Sequence, residues 1–339
     1  MIRLATIGTS NICQSFLDGT VLTKEFELNA VYSRNYATGI AFAQKNNCDK
    51  VFTSLSEMAS YDGIDAVYIA SPNVFHAEQS RMFLEHGKHV ICEKPIATAV
   101  AEYVELKQLA DSRNLIYIEA IIPRHVKGYS DVKKAFSQIG KISMARFDFC
   151  QYSSRMESFL KGEQVNIFDM SLKAGTLMDL GVYCVYAAVD FLGFPREIQA
   201  KSYLLPNGAD GSGYATFEYD DFSAILTYSK TAQGAIGSEI VGENGTLKIK
   251  YVSQYAGVTL VKDGKEQIIT EFPTKAELMS GEAQKFADYI LRYNENSEDY
   301  KKTSELCLKV HKCMDIIKEK AGLVYPEYKK EIQKGRLDV

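Results

Sequence analysis

Met1-Ile2-Arg3-Leu4-Ala5-Thr6-Ile7-Gly8-Thr9-Ser10-Asn11-Ile12-Cys13 opens the chain, and the order of residue types in this stretch decides the fold class. Ile2 to Ile7 is a short apolar run that reads as a buried strand. It ends on Gly8, and a helical pattern follows. A glycine at a strand's carboxyl end lets the chain turn tightly, so that the next helix aims its free N–H groups and positive dipole end at a phosphate. The full dinucleotide fingerprint is G-x-G-x-x-G/A. Only Gly8 matches it, with Ser10 and Cys13 at the other two small positions. Alone, such a glycine is a turn. At the first strand–helix junction of an alternating chain it marks a phosphate loop, with Gly8, Thr9, Ser10, Asn11 and Ile12 as contact candidates.

The alternation continues outward from this point. Phe26 to Ser33, Ala66 to Ala70, His89 to Cys92 and Leu115 to Ala120 read as further strands, with helical patterns such as His76 to His86 and Val100 to Arg113 between them. Strands separated by helices imply a parallel, doubly wound α/β sheet of Rossmann type. After about Pro123 the rhythm changes. Residues 144–152, 197–205, 213–219, 223–229, 237–241, 245–249, 258–262 and 265–269 read as strands, several joined by short turns such as Asn244-Gly245 and Asp263-Gly264. Gly175 to Leu192 is helical, and helices over Leu278–Leu291 and Lys301–Ala321 close the chain. The expected division is a dinucleotide-binding Rossmann domain at 1–121. Residues 122–339 then form an α+β domain with a large, mostly antiparallel open sheet, for substrate and for oligomerisation. One face of such a sheet needs a cover, and a second copy of the chain is the cheapest one, so a homodimer through this sheet is expected.

With 339 residues, two domains are the default. The net charge of −4 and the lack of a basic stripe argue against nucleic acid as a partner. Seven scattered cysteines, odd in number and without a C-x-x-C pair, argue against a disulfide framework or zinc knuckle and fit a reducing cytoplasm. The N-terminus lacks the pattern of a signal peptide, and no stretch approaches ~20 uninterrupted apolar residues, so no membrane span is expected. Cys307 and His311 share a helix face, with Cys313 nearby. A lone helical pair is more often core packing than a metal site, and none is expected. The basic stretch from Lys329 to Arg336 reads as a solvated tail.

After the second strand, Val31-Tyr32-Ser33-Arg34 offers no carboxylate for the ribose hydroxyls of NAD. Ser33 beside Arg34 suits a 2′-phosphate, so NADP is favoured over NAD; the bland reading of Arg34 is a solvated loop residue. Further on, His89-Val90-Ile91-Cys92-Glu93-Lys94-Pro95 places a charged pair at the carboxyl end of a buried strand, where ligands of doubly wound sheets bind. Alone, Glu-Lys-Pro is an ordinary strand-to-helix turn.

Taken in order, Gly8 to Ile12, Ser71-Pro72-Asn73-Val74-Phe75-His76, Glu93-Lys94-Pro95, Glu119-Ala120 and Gly175-Thr176-Leu177-Met178-Asp179-Leu180-Gly181-Val182-Tyr183 resemble the glucose–fructose oxidoreductase / inositol dehydrogenase family (Gfo/Idh/MocA). The tyrosine at 183, where many members carry histidine, resembles the branch containing dihydrodiol dehydrogenase. The resemblance implies an NAD- or NADP-dependent oxidoreductase acting on a sugar, polyol or dihydrodiol. It implies Lys94 as the catalytic-site lysine, Asp179 as the acidic residue of the D-x-G-x-[HY] motif and Tyr183 as the proton-transfer residue. It also assigns Ser71, Pro72, Asn73, His76, Glu93 and Lys94 to the cofactor side.

Hydride transfer at an alcohol carbon requires the hydroxyl proton to move with it. A tyrosine is a poor base at neutral pH unless a neighbouring lysine lowers its pKa, which Lys94 could do for Tyr183. Asp179, four residues before Tyr183, shares its helix face and could bind a second hydroxyl or orient Lys94. Against this, Val182, Val185, Val189 and Leu192 form an apolar stripe to which Tyr183 could belong. Arg124, Arg155 and Asn166 are candidate substrate contacts from the second domain. Two alternatives remain open on this scaffold: a non-catalytic dinucleotide-binding regulator and an NAD-dependent glycoside hydrolase.

Overall fold

The computed structural model describes residues 1–327; the basic stretch from Lys329 to Arg336 lies outside them. Six strands form the first sheet: β1 (Ile2–Ile7), β2 (Phe26–Tyr32), β3 (Val51–Phe52), β4 (Ala66–Ile69), β5 (His89–Glu93) and β6 (Tyr117–Ala120). Their order is β3-β2-β1-β4-β5-β6, and every pairing is parallel. Helices α1 (Asn11–Thr23), α2 (Tyr36–Lys45), α3 (Leu55–Ala59), α4 (His76–Glu85) and α5 (Val100–Ser112) connect them. β4 is buried at every residue, as a central parallel strand covered on both faces must be. β3 was not foreseen, because two residues are too few to show a period. Leu115 and Ile116 precede the last strand rather than opening it.

The second sheet has eight strands: β7 (Ile142–Cys150), β8 (Glu197–Leu204), β9 (Asp210–Glu218), β10 (Ser223–Ser229), β11 (Ser238–Gly242), β12 (Gly245–Tyr251), β13 (Ala256–Lys262) and β14 (Lys265–Ile268). They run in the order β14-β13-β12-β11-β7-β10-β9-β8, antiparallel except where β7 lies parallel to β10. Alternation decides which face is covered. Ala145, Phe147, Phe217, Leu226, Ile240 and Leu247 are buried, whereas Met144, Tyr214 and Ile225 on the other face are exposed. Three short helices not expected after Pro123 precede and follow β7: α6 (Ile122–His125), α7 (Tyr129–Phe136) and α8 (Met156–Leu160). Pro123 lies in the first turn of α6, where a missing N–H costs no helical hydrogen bond.

The helix expected over 175–192 begins as a widened π turn at Leu177–Gly181 and continues as α9 (Val182–Leu192). The run Met170–Leu192 is long and apolar enough to cross a membrane by length and composition only, although Lys173, Asp179 and Asp190 interrupt it. However, 78% of its most apolar window is buried inside the protein, and α9 lies under the inner face of the second sheet as its core helix. Two final helices, α10 (Lys275–Leu291) and α11 (Tyr293–Lys320), return to the first domain: α10 packs on α1, and α11 lies against α5 and β6 as well as α9 and β8. α10 lies directly on α1 at Gly19, where an added Cβ would stand 2.7 Å from the Met279 backbone carbon. That close approach brings side chains of α10 beside the helix that follows the phosphate loop.

Candidate functional site

The strand order of the first sheet reverses between β1 and β4, the point at which doubly wound sheets open a crevice outside their carboxyl ends. Gly8 caps β1 with φ +110°, and a Cβ there would meet the Ala70 carbonyl oxygen at 3.1 Å. Ser10 stands at the N-cap of α1 but makes no side-chain capping bond, and the first turn carries no acidic residue. The helix therefore presents free N–H groups and its positive dipole end to an anion. Thr9 is half-buried, Asn11 begins the helix exposed, and Ile12 lines the adjoining cleft. Ser33 is buried, and its N–H donates to the Phe52 carbonyl. Arg34 is exposed, with no ion-pair partner among the described residues.

A cleft of about 450 Å³ lies beyond these strand ends, between the two sheets. Pro72, Asn73, Glu93, Lys94, Asp179 and Tyr183 all line it. The Lys94–Pro95 peptide is cis. Neighbours hold this turn on both sides. The Ile96 N–H donates to Glu119 Oε1 at 2.7 Å, and the His76 ring nitrogens lie 2.8 Å from the Pro95 carbonyl and 2.7 Å from the Ser71 carbonyl. His76 thus ties the Ser71–Asn73 loop to the Lys94 turn. Both carbonyls only accept, so the neutral ring serves one at a time, and burial lowers its pKa. Ser71 Oγ donates to Gln79, and Asn73 Nδ2 donates to the Lys173 carbonyl, which fixes that loop against the second domain.

Lys94 Nζ lies 2.5 Å from Asp179 Oδ1, 3.0 Å from the Asp179 carbonyl and 5.2 Å from the centre of the Tyr183 ring. Asp179 sits in the π turn, a distortion that recurs at functional sites. Its second carboxylate oxygen accepts from Lys230, a buried lysine just beyond β10. Burial opposes charge on Asp179, yet the two ammonium groups outweigh it and hold its pKa below the usual range. Burial likewise opposes charge on Lys94, but Asp179 and then Tyr183 outweigh it, and its pKa is raised. The expectation that Lys94 would bring the Tyr183 phenol down is corrected in sign. Lys94 does pull downward, but burial is the larger effect and Glu93 and Asp179 add to it, so the phenol is raised overall.

In the same cleft, Glu93 accepts from the Tyr68 hydroxyl at 2.5 Å, and Glu282 of α10 contributes a buried carboxyl. Of the three substrate candidates, Asn166 lines the cleft. Arg124 does not. It pairs with Asp299 of α11 at 2.7 Å and stacks on Tyr129 at 4.6 Å, because the carboxylate of the returning helix is nearer than the cleft. Arg155 is exposed at the start of α8, away from the lining. Sequence reading missed Lys230 and Glu282. Lys230 follows directly on an alternating strand with no motif to mark it, and Glu282 is a buried residue of α10 that only a charge out of place in the apolar pattern signals. Glu119, Cys307 and His311 converge in the core, but their donor atoms already bond one another, with His311 Nε2 at 3.1 Å and Cys307 Sγ at 3.4 Å from Glu119.

A bare helix N-terminus, a close backbone approach at Gly8 in the left-handed region, and a cleft with a cation in its lining together fit a nicotinamide dinucleotide. Comparison with known proteins agrees. Residues 2–120 match the profile of an oxidoreductase family with an NAD-binding Rossmann fold, and residues 133–248 match the GFO/IDH/MocA C-terminal domain. The chain is 38% identical over 327 residues to scyllo-inositol 2-dehydrogenase (NADP(+)) IolU of Bacillus subtilis, covering 96% of this chain and 99% of that protein. It is 27% identical over 259 residues to trans-1,2-dihydrobenzene-1,2-diol dehydrogenase of Danio rerio, covering 75% of this chain and 74% of that one. Its fold matches KijD10, a 3-ketoreductase from Actinomadura kijaniata solved with NADP, at a TM-score of 0.81 and 22% identity, over 94% of this chain and 97% of that one. The chain belongs to the Gfo/Idh/MocA oxidoreductase family and is a nicotinamide-dependent oxidoreductase.

Proposed function

We propose that the chain interconverts a secondary alcohol and a ketone on a sugar, polyol or dihydrodiol, with NADP preferred over NAD. One observation carries this reading: the Lys94 ammonium, pinned by Asp179, stands beside the Tyr183 phenol in a cleft that opens from the phosphate loop. A bound nicotinamide supplies the hydride donor or acceptor. Gly8, Thr9, Ser10 and Asn11 hold the pyrophosphate, and Ser33 with Arg34 takes the 2′-phosphate. Lys94 donates a hydrogen bond to the substrate oxygen and stabilises negative charge as it develops there. Tyr183, kept protonated by burial, delivers its proton to that oxygen in the direction of reduction. Asp179 holds Lys94 in place, and Asn166 takes a further hydroxyl. The relatives' names support the substrate class, since one is an inositol dehydrogenase using NADP(+) and another a dihydrodiol dehydrogenase.

The same reading assigns residues 1–121 to the dinucleotide, 122–339 to the substrate, and the exposed face carrying Met144, Tyr214 and Ile225 to a second copy of the chain. All seven cysteines are free, which fits the cytoplasm. The test is nicotinamide absorbance during incubation with NADP and a panel of inositols, sugars and diols. Net turnover with at least one polyol is expected. Sugar release without net turnover would replace this reading with hydrolysis, and tight binding with neither would replace it with a regulatory role.

A further inference from the structure

Glu282 is 1% exposed, and neither of its carboxyl oxygens has a hydrogen-bond partner among the described residues. Buried polar groups left this way cost stability, so an orphan in a ligand cleft calls for a missing partner. Glu282 lines the same cleft as Ile12 and Glu93, near enough to Glu93 for the two carboxyls to oppose each other's charge. It is carried there by α10, which Gly19 seats against α1. Asp179 and Asn166, from the second domain, line the same cleft. Glu282 is near enough to Tyr183 to oppose charge on its phenol.

We propose that Glu282 receives the carboxamide of the nicotinamide ring; this rests on the reading of the cleft as a nicotinamide site. Burial and then Glu93 raise the Glu282 pKa well above the carboxylate range, and the exposed Lys275 at the cleft does not reverse that. Burial among other carboxyls favours the protonated form, which offers one O–H donor and one carbonyl acceptor in a single plane. A primary carboxamide offers the complementary pair, an acceptor and an N–H donor in one plane, and satisfies both oxygens at once. A substrate hydroxyl satisfies only one of them. Pairing through the carboxamide also fixes which face of the ring turns toward Lys94 and Tyr183.

The test compares dissociation constants, by fluorescence, of NADPH and its reduced 3-acetylpyridine analogue, in which a methyl replaces the amide NH₂. The native protein should bind NADPH about tenfold more tightly than the analogue, the scale of a lost buried hydrogen-bond pair. Glu282→Leu should bind the two about equally, and its melting temperature without nucleotide should equal or exceed the native one, because an orphaned polar group has been removed. Glu282→Gln, which keeps a donor and an acceptor, should retain the preference. A Leu variant that keeps the native preference overturns the proposal. So does one whose nucleotide affinities are native while the KM for polyol rises, which would give Glu282 to the substrate. Failure of the native protein to bind either nucleotide overturns the nicotinamide reading itself.

Discussion

The Lys94 ammonium and the Asp179 carboxylate, 85 positions apart in sequence, meet at 2.5 Å and join the first sheet to the helix beneath the second. The contact does two things. It holds the lysine charged despite burial, and it fixes where that charge points.

Asp179→Asn should therefore act through Lys94. Without the carboxylate, Lys94 and Lys230 lose the counter-charge they share, only Tyr183 and Glu93 still support the charge on Lys94, and burial pulls its pKa down. The expected outcome is a fall in kcat of at least ~10²-fold at neutral pH. A new alkaline limb should also appear, with activity lost as pH rises through the lowered lysine pKa. Steady-state rates across pH check both; Lys94→Arg, which keeps a charge, should lack the new limb.

Arg34→Ala tests the cofactor preference. Loss of a charge-assisted contact to the 2′-phosphate should weaken NADPH about 10- to 100-fold. NADH affinity should stay within about twofold, because its ribose presents no phosphate there. Isothermal titration of both nucleotides measures the ratio.

Asp210 sets a stability change with pH. It is fully buried beside the π turn, accepts from the Leu177 N–H at 2.6 Å, and is raised by burial to about 7 from its ordinary value of 3.8. Between those values the folded chain binds this proton and the unfolded chain has lost it. Stability from this group is thus complete below about 4, falls as pH rises toward about 7, and is level above that. The slope is at most about 1.4 kcal/mol per pH unit. Asp210→Asn should flatten this part of the curve in denaturant titrations of the ligand-free protein.

Ile225→Lys tests the second copy. Ile225 is 42% exposed and sits between Thr216 of β9 and Arg146 of β7 in register, on the uncovered face of the second sheet. The native protein should run as a dimer in light scattering at micromolar concentration, and the variant as a monomer with an unchanged melting curve at high dilution.

Much of this architecture was legible because its signals are periodic or local. The six-residue apolar run ending at Gly8 and the Asn-Gly and Asp-Gly turns after Pro123 identify the two sheets without long-range information. The convergence of Lys94 with Tyr183 was legible only through the order of the Glu-Lys-Pro and D-x-G-x-Y segments, since nothing local to either says that they meet. Arg124 was misplaced for a related reason. A basic residue near a cleft has several carboxylates within reach of the fold, and Asp299, on a helix that returns from the far end of the chain, lies nearer to it. Lys230, Glu282 and the sign of the Tyr183 shift needed coordinates, because burial from surrounding elements decides each of them.

The most direct test of the proton-transfer site is the rate of ketone reduction by Tyr183→Phe alongside its affinity for NADPH. Removing the phenolic proton and little else should lower kcat by at least ~10²-fold while the dissociation constant for NADPH stays near native. The native reduction rate should be level through the neutral range because burial keeps the phenol protonated there. A Phe variant that reduces substrate at the native rate would contradict the assignment and leave Lys94 without its partner.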